Sequence, residues 1–266
     1  GATRYTVTGL VNSDAVSAVD LKYLNNATVA GTVSANTYTN GIVASNATGT
    51  GLSNYTITYS PADLVVNTKS LTVAAASQST TYGTALVLGT NNTGATRYTV
   101  TGLVNSDAVS AVDLKYSGNG TVAATTAANT YTNGIVASGA TGTGLSNYTI
   151  TYSPADLVVN TKSLTITANA DSKTYGDVKT YGTGSTAFTP VGLVNSETIG
   201  SVTVTDTNSG GLATASAGGT YALTPSAATG GTFTASNYTI TYSTGALTVN
   251  TKSLTVAAAS QSTTYG

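Results

Sequence analysis

The chain has 266 residues, a formal net charge of −1 and only 7 % charged residues, against a usual quarter or so. So little charge excludes a basic footprint for nucleic acid, and Thr, Ser, Asn and Gly carry the polar character instead. The hydrophobic content of 40 %, mostly Val, Ala, Leu and Tyr, argues against wholesale disorder and suits modest β cores.

In chain order the pattern is one of short strands. Leu71-Thr-Val and Leu164-Thr-Ile-Thr read as opening strands, and Tyr98-Thr-Val-Thr-Gly-Leu-Val104 as another. Ser106-Asp-Ala-Val-Ser-Ala-Val112 has a Ser or Asp cap and apolar residues three apart, which predicts one or two helical turns. Its later counterpart, Ser196–Val202, is weakened by Gly200. Asn119-Gly120 and Asn133-Gly134 are turn signals. In Asn147-Tyr-Thr-Ile-Thr-Tyr152 the period is two, with Tyr148, Ile150 and Tyr152 on one face. Ser153-Pro-Ala-Asp156 then interrupts and Leu157-Val-Val159 resumes, predicting a hairpin with Pro in its turn. Ser243-Thr-Gly-Ala246 stands at the same place later.

These segments repeat. Gly1–Tyr23 recurs letter for letter at Gly94–Tyr116, and Ala47–Thr72 at Ala140–Thr165, both offset by 93; a divergent copy follows after a step of 90 from Lys162 to Lys252. The organisation expected is residues 1–68 as a partial unit without its N-terminal part, 69–161 and 162–251 as complete units, and 252–266 as the start of another. Six or seven short strands per unit suit an all-β fold of tandem Ig-like β-sandwiches with at most one short helix each. β-grasp-like units are the first alternative; a β-solenoid ranks third, because no period of 20–30 residues or so runs inside the unit. A unit of this size buries only about 60–65 % of its surface, so neighbours are expected to support one another. Val158-Val-Asn-Thr-Lys-Ser-Leu164 joins two units with no Gly/Ser or Pro linker, which predicts a rod. With no Met, the chain reads as a piece of a longer protein. Its ends suggest a cut from a longer array or, as the sharper alternative, a strand from 252–266 donated to residues 1–68 of another chain.

The order of motifs resembles a known family. Lys162-Ser-Leu-Thr-Ile-Thr-Ala-Asn-Ala-Asp-Ser-Lys-Thr-Tyr-Gly-Asp177 is followed by Gly192-Leu-Val-Asn-Ser-Glu197, Gly219-Thr-Tyr-Ala-Leu223 and Asn237-Tyr-Thr-Ile-Thr-Tyr242 with Gly245-Ala-Leu-Thr-Val249. This order resembles the MBG repeats (YGX type) of very large bacterial surface proteins, such as filamentous-haemagglutinin-like, two-partner-secreted adhesins. The earlier units depart from it, with Asn129-Thr-Tyr-Thr132 for Gly-Thr-Tyr and Ser-Pro-Ala-Asp for a Gly turn. The resemblance implies an extracellular, cell-surface stalk or biofilm-matrix fibre of a Gram-negative bacterium. It implies no catalytic residue.

Residue chemistry points the same way. With no His or Cys, only carboxylates, bases and tyrosines remain for acid–base work, and thiolate metal sites and disulfides are excluded. Asp107 reads as a cap and Asp156 as a turn residue, so no enzyme is expected. Ca²⁺ needs six to eight oxygens or so, and Asp171 and Asp177 beside Lys173 and Lys179 read more simply as loop charges, so no cofactor is expected. Lys69, Lys162 and Lys252 recur at the junctions with Asn67, Asn160 and Asn250 two residues before, the residue types of an isopeptide cross-link; exposed lysines are the simpler reading. Glycosylation sequons stand at Asn26, Asn46, Asn54, Asn91, Asn119, Asn147 and Asn237. Alternating Tyr could stack on sugars but more simply fills a core. No stretch of 18 apolar residues is present, so no membrane insertion is expected of this segment. The partners expected are neighbouring repeats of the same or another chain, with surface polysaccharide as a second possibility through avidity.

Overall fold

A computed structural model describes residues 4–118 and 120–266. In the first stretch the strands are β1 (Ala15–Tyr23), β2 (Asn36–Thr50) and β3 (Ala62–Val66). The middle repeat holds β4 (Lys69–Ala75), β5 (Gln78–Thr81), β6 (Gly89–Asn92), β7 (Tyr98–Thr101), β8 (Ala108–Tyr116), β9 (Asn129–Thr143), β10 (Tyr148–Ser153) and β11 (Ala155–Asn160). The last repeat holds β12 (Lys162–Ala168), β13 (Asp171–Thr174), β14 (Phe188–Val191), β15 (Ile199–Asp206), β16 (Tyr221–Gly231), β17 (Tyr238–Ser243) and β18 (Gly245–Asn250). Three single 3-10 turns are the only helical elements among the described residues, so the fold is all-β as expected.

The chain divides into two compact units that cut across the sequence repeats. One comprises Gly1–Ser77, Leu88–Ser117 and Asn133–Ala155; the other Gln78–Val87, Gly118–Thr132 and Asp156–Gly266. Each therefore contains residues from both sides of a repeat boundary.

The second unit contains the whole last repeat, as two sheets of order β14-β12-β17 and β13-β18-β16-β15. The chain changes sheet between β12 and β13 and again between β17 and β18. Two parallel pairs result, with Lys162 opposite Tyr238 in β12 and β17, and Asp171 opposite Leu247 in β13 and β18. Leu164, Ile166 and Ala168 alternate along β12, and β12 and β17 touch β16 of the other sheet, so the apolar faces meet. Val202, Val204, Leu223, Leu247 and Val249 complete this core, each nearly inaccessible. Burial of such a side chain stabilises by about 1.5–3 kcal/mol.

In the first unit β4 stands as β12 does in the last repeat: parallel to β10, with Tyr148 opposite Lys69, and antiparallel to β7, with Thr72 opposite Thr101. Leu71 and Val73 of β4 are fully buried. β1, β2 and β3 form a separate sheet in that order. Tyr5–Thr8 and Tyr55–Ser60 join no sheet, although they spell the same residues as β7 and β10. Residues 251–266 also join none and are exposed throughout.

Two local expectations are corrected. Ser106–Val112 is not helical. Asn105 and Ser106 take φ of 56° and 61°, and the Asp107 N–H donates to Val104 O at 3.0 Å. Two successive left-handed residues make a type I′ turn, which feeds β8 rather than a right-handed helix. Asn195 and Ser196 do the same before β15, at φ of 54° and 58°. The stretch a β-grasp fold needs as helix is thus strand, and two sheets with mixed pairing do not form a solenoid coil. The hairpin over Asn147–Val159 is also absent, because β10 and β11 belong to different sheets. Pro154 marks the crossing; it has no N–H to leave unpaired where the chain quits one ladder.

Candidate functional site: the repeat junction

The acid–base groups that gather at a pocket, Lys179, Tyr181 and Asp206, line a hollow of the last repeat where Lys179 is already paired to Asp171. What recurs is a polar seam where one sequence repeat meets the next. Its parts come from the turn before β8 or β15 and the 3-10 turn before β10 or β17 on one side, and from loops of the preceding repeat on the other.

Within the first compact unit, the Ala35 N–H donates to Asn147 Oδ1 at 2.9 Å and Asn105 Nδ2 donates to Gly31 O at 2.9 Å. The Thr68 and Thr149 hydroxyls bond at 2.6 Å. Within the second, the Ala128 N–H donates to Asn237 Oδ1 at 2.9 Å and Asn195 Nδ2 to Ala124 O at 3.3 Å. Thr161 and Thr239 bond at 2.7 Å. The second set is the first moved along by one repeat, atom for atom.

The second unit adds an aromatic clamp. Tyr82, 4 % exposed, reaches from the Tyr-Gly signature of the middle repeat to donate its hydroxyl to Glu197 Oε1 at 2.7 Å. Its ring meets Tyr238 edge-on, centroids 5.5 Å apart and planes at 80°, a favourable quadrupolar geometry. Tyr238 donates to the other oxygen of Glu197, and Phe233 lies against Tyr238 at 6.3 Å. Gly83 takes φ of +87°, and a Cβ there would fall 2.7 Å from Val194 Cγ2. The signature thus needs Gly both for its backbone and for close approach to Val194.

Burial pushes the Tyr238 hydroxyl up to about 12, helped by the bond to Glu197 and by that carboxylate's charge, while the Val194 N–H opposes. Tyr82 is raised for the same first two reasons. Tyr148, raised by burial, donates to Asp107 Oδ2 at 2.8 Å. Tyr55 donates to Asp14 at 2.8 Å. The acid after Asn-Ser is therefore an acceptor for the first Tyr of Tyr-Thr-Ile-Thr-Tyr in all three copies. Asp107 is not a helix cap, and Asp156 lies in β11 rather than in a turn.

The second Tyr is equally engaged. Tyr59, Tyr152 and Tyr242 accept from the N–H of Ala47, Ala140 and Ala228 at 2.8, 2.9 and 2.9 Å. Tyrosines that read as candidate sugar platforms or plain core are hydroxyl-anchored staples, with Tyr148 and Tyr238 buried.

The other sequence candidates fall as follows. Lys69 and Lys252 are exposed and Lys162 is half-buried; the junction contacts use Thr68 and Thr161, one residue earlier. Asn160 Nδ2 donates to Thr80 O at 3.1 Å. Asn26, Asn46, Asn54 and Asn91 are exposed, and Asn119 lies outside the described residues. Asn147 is half-buried and Asn237 is 5 % exposed, both with Oδ1 bound at the junction. Asp171 pairs with Lys179 and accepts from Tyr181 at 3.0 Å. Burial acts to raise its carboxyl, but Lys179, the Ser172 N–H and Tyr181 hold it below the ordinary value. Lys173, 5 % exposed, donates to Asp177 O and Leu212 O. No described group of three acidic residues could hold a metal ion, and no described helix is long and apolar enough to cross a membrane.

The same Asn thus occupies two environments. Asn237→Ala leaves the Ala128 N–H without its acceptor and is expected to cost about 1–3 kcal/mol. Asn54→Ala, at the matching exposed position, is expected to stay within about 0.5 kcal/mol of wild type. Denaturant melts of the two variants check this.

A family model described as MBG domain (YGX type) matches residues 71–158 and 164–248, well over half of the chain. No curated protein and no solved structure gave a significant match. The chain belongs to the MBG domain family of YGX type.

Proposed function

We propose that this member of the YGX-type MBG family is a stretch of passive stalk in an exported bacterial surface adhesin or matrix protein, in which each repeat adds one step of length and the junction sets the stiffness. The observation that carries this reading is the recurrence of the three junction hydrogen bonds one repeat apart. Fixed bonds between neighbours are what a spacer needs and what a flexible tether lacks. Tyr82, Tyr98, Tyr148 and Tyr238 are buried, so the glycan-binding alternative has fewer aromatic faces to offer. The partner of a repeat is the next repeat, and the location is extracellular.

Small-angle scattering on arrays of increasing repeat number tests the proposal. The maximum dimension is expected to grow by a constant increment per repeat. A dimension that saturates, as for a collapsed or freely jointed chain, overturns it. A glycan array probed with the same repeat arrays reports on the binding alternative.

A further inference from the structure

The aromatic clamp of the second unit holds more than packing requires. Tyr82 and Tyr238 come from different repeats, are 4 % and 6 % exposed, and keep their ring centroids 5.5 Å apart. Each donates its hydroxyl to a separate oxygen of Glu197. Phe233, the other ring against Tyr238, packs at 6.3 Å without a hydroxyl. Ring contact alone would be met by phenylalanine at all three places.

Two phenols in contact that share one carboxylate are the reactants of an oxidative coupling. A phenol loses an electron readily when its proton can leave at the same moment, and an acceptor within hydrogen-bond reach provides for that. Fixed contact between the rings replaces the chance meeting of two radicals. An electron can leave a buried ring without the oxidant touching it, and burial then shields the radicals from scavengers.

We propose that Tyr82 and Tyr238 are a site of oxidative cross-linking, which closes the seam between the middle and last repeats with a dityrosine bond. A one-electron oxidant, such as a peroxidase using hydrogen peroxide, takes one electron from each ring, and the hydroxyl protons leave through Glu197 to water. The two phenoxyl radicals join carbon to carbon beside their oxygens, and the hydrogen on each joined carbon passes to its own oxygen. The net loss is two electrons and two protons, which turn one peroxide into two waters. In a chain without cysteine this supplies the covalent link that a disulfide cannot. The assignment stands whether or not the array is a stalk.

Oxidation of the full chain with a ruthenium photo-oxidant and persulfate as the electron acceptor, followed by trypsin and mass spectrometry, tests this. Tyr82 is the single tyrosine of tryptic peptide 70–97, and Tyr238 lies in 180–252. Monomeric chain is expected to yield the two peptides joined and two hydrogens lighter than their sum. Tyr82→Phe and Tyr238→Phe are each expected to abolish the joined species. Glu197→Gln, with its melt recorded to establish folding, is expected to form it more slowly by about tenfold or more. In denaturing urea the pair is expected to lose its preference over the other tyrosines. Oxidised monomer without the joined peptides overturns the proposal. So does joining that persists in Tyr238→Phe, that is as prominent in urea as in buffer, or that keeps its rate in Glu197→Gln.

Discussion

Gly83→Val is expected to destabilise the chain by roughly 2–5 kcal/mol, summing the strain of a β-branched residue at left-handed φ and overpacking at a filled contact. Gly83 stands at φ +87°, and the three nearest atoms to a Cβ there are all of Val194, at 2.7–2.9 Å. The backbone part can be separated from the junction part. Gly176, the same position one repeat on, has φ +94° but meets only the end of Lys252, at 3.6 Å. Gly176→Val carries the strain without the overpacking and is expected to cost about 1–3 kcal/mol. Denaturant unfolding of both variants gives the difference. Equal losses would show that the signature acts through its backbone alone.

Removing Glu197 is expected to have the second large effect, because one carboxylate accepts from two buried tyrosines that come from different repeats. Glu197→Ala orphans both hydroxyls and is expected to cost about 2–4 kcal/mol, on the scale of a lost hydrogen bond to a charged group. The pH dependence carries the same signature. Tyr238 sits at about 12 when folded, above the unfolded value of 10.0. A group raised on folding contributes its stability fully below the unfolded value and loses it as pH rises toward the folded one. Wild type is therefore expected to lose stability between pH 10 and about 12. Burial, the largest cause, persists in Glu197→Gln, so the loss shrinks there without vanishing. Tyrosinate absorbance against pH, with Tyr238→Phe as reference, reads the shift directly. A Gln variant with an unaltered titration would place the cause in burial alone.

The sequence was most legible where identity and period spoke. The duplication at offset 93 survives in the like pairing of β1 with β2 and β8 with β9, and the alternation of Tyr148, Ile150 and Tyr152 survives in β10, where these three are less exposed than Thr149 and Thr151. The helix over Ser106–Val112 failed because its cap-like Ser and spaced valines also fit a type I′ turn leading into a strand, and pairing with β9 decides between them. The hairpin failed because Pro154 marks a turn without saying whether the chain returns to the same sheet. The junction was least legible. Its bonds link residues 71–115 positions apart, and Asn147 looked like a strand cap or a sequon until Ala35 stood beside it. The recurrent Tyr-Gly and the Gly-Leu-Val-Asn-Ser-Glu motif were both visible; that Val194 and Glu197 of the one face the Tyr-Gly of the preceding repeat was not.

Both faces of the junction are written into the middle copy. The middle repeat presents Asn105, Asn147 and Thr149 to the copy before it and Ala124, Ala128 and Thr161 to the copy after it. A duplicate of the middle copy can therefore follow it through the same three bonds. Recombination that duplicates the middle copy keeps these three bonds at the new seam, so the array can lengthen between generations while that part of the joint chemistry is inherited.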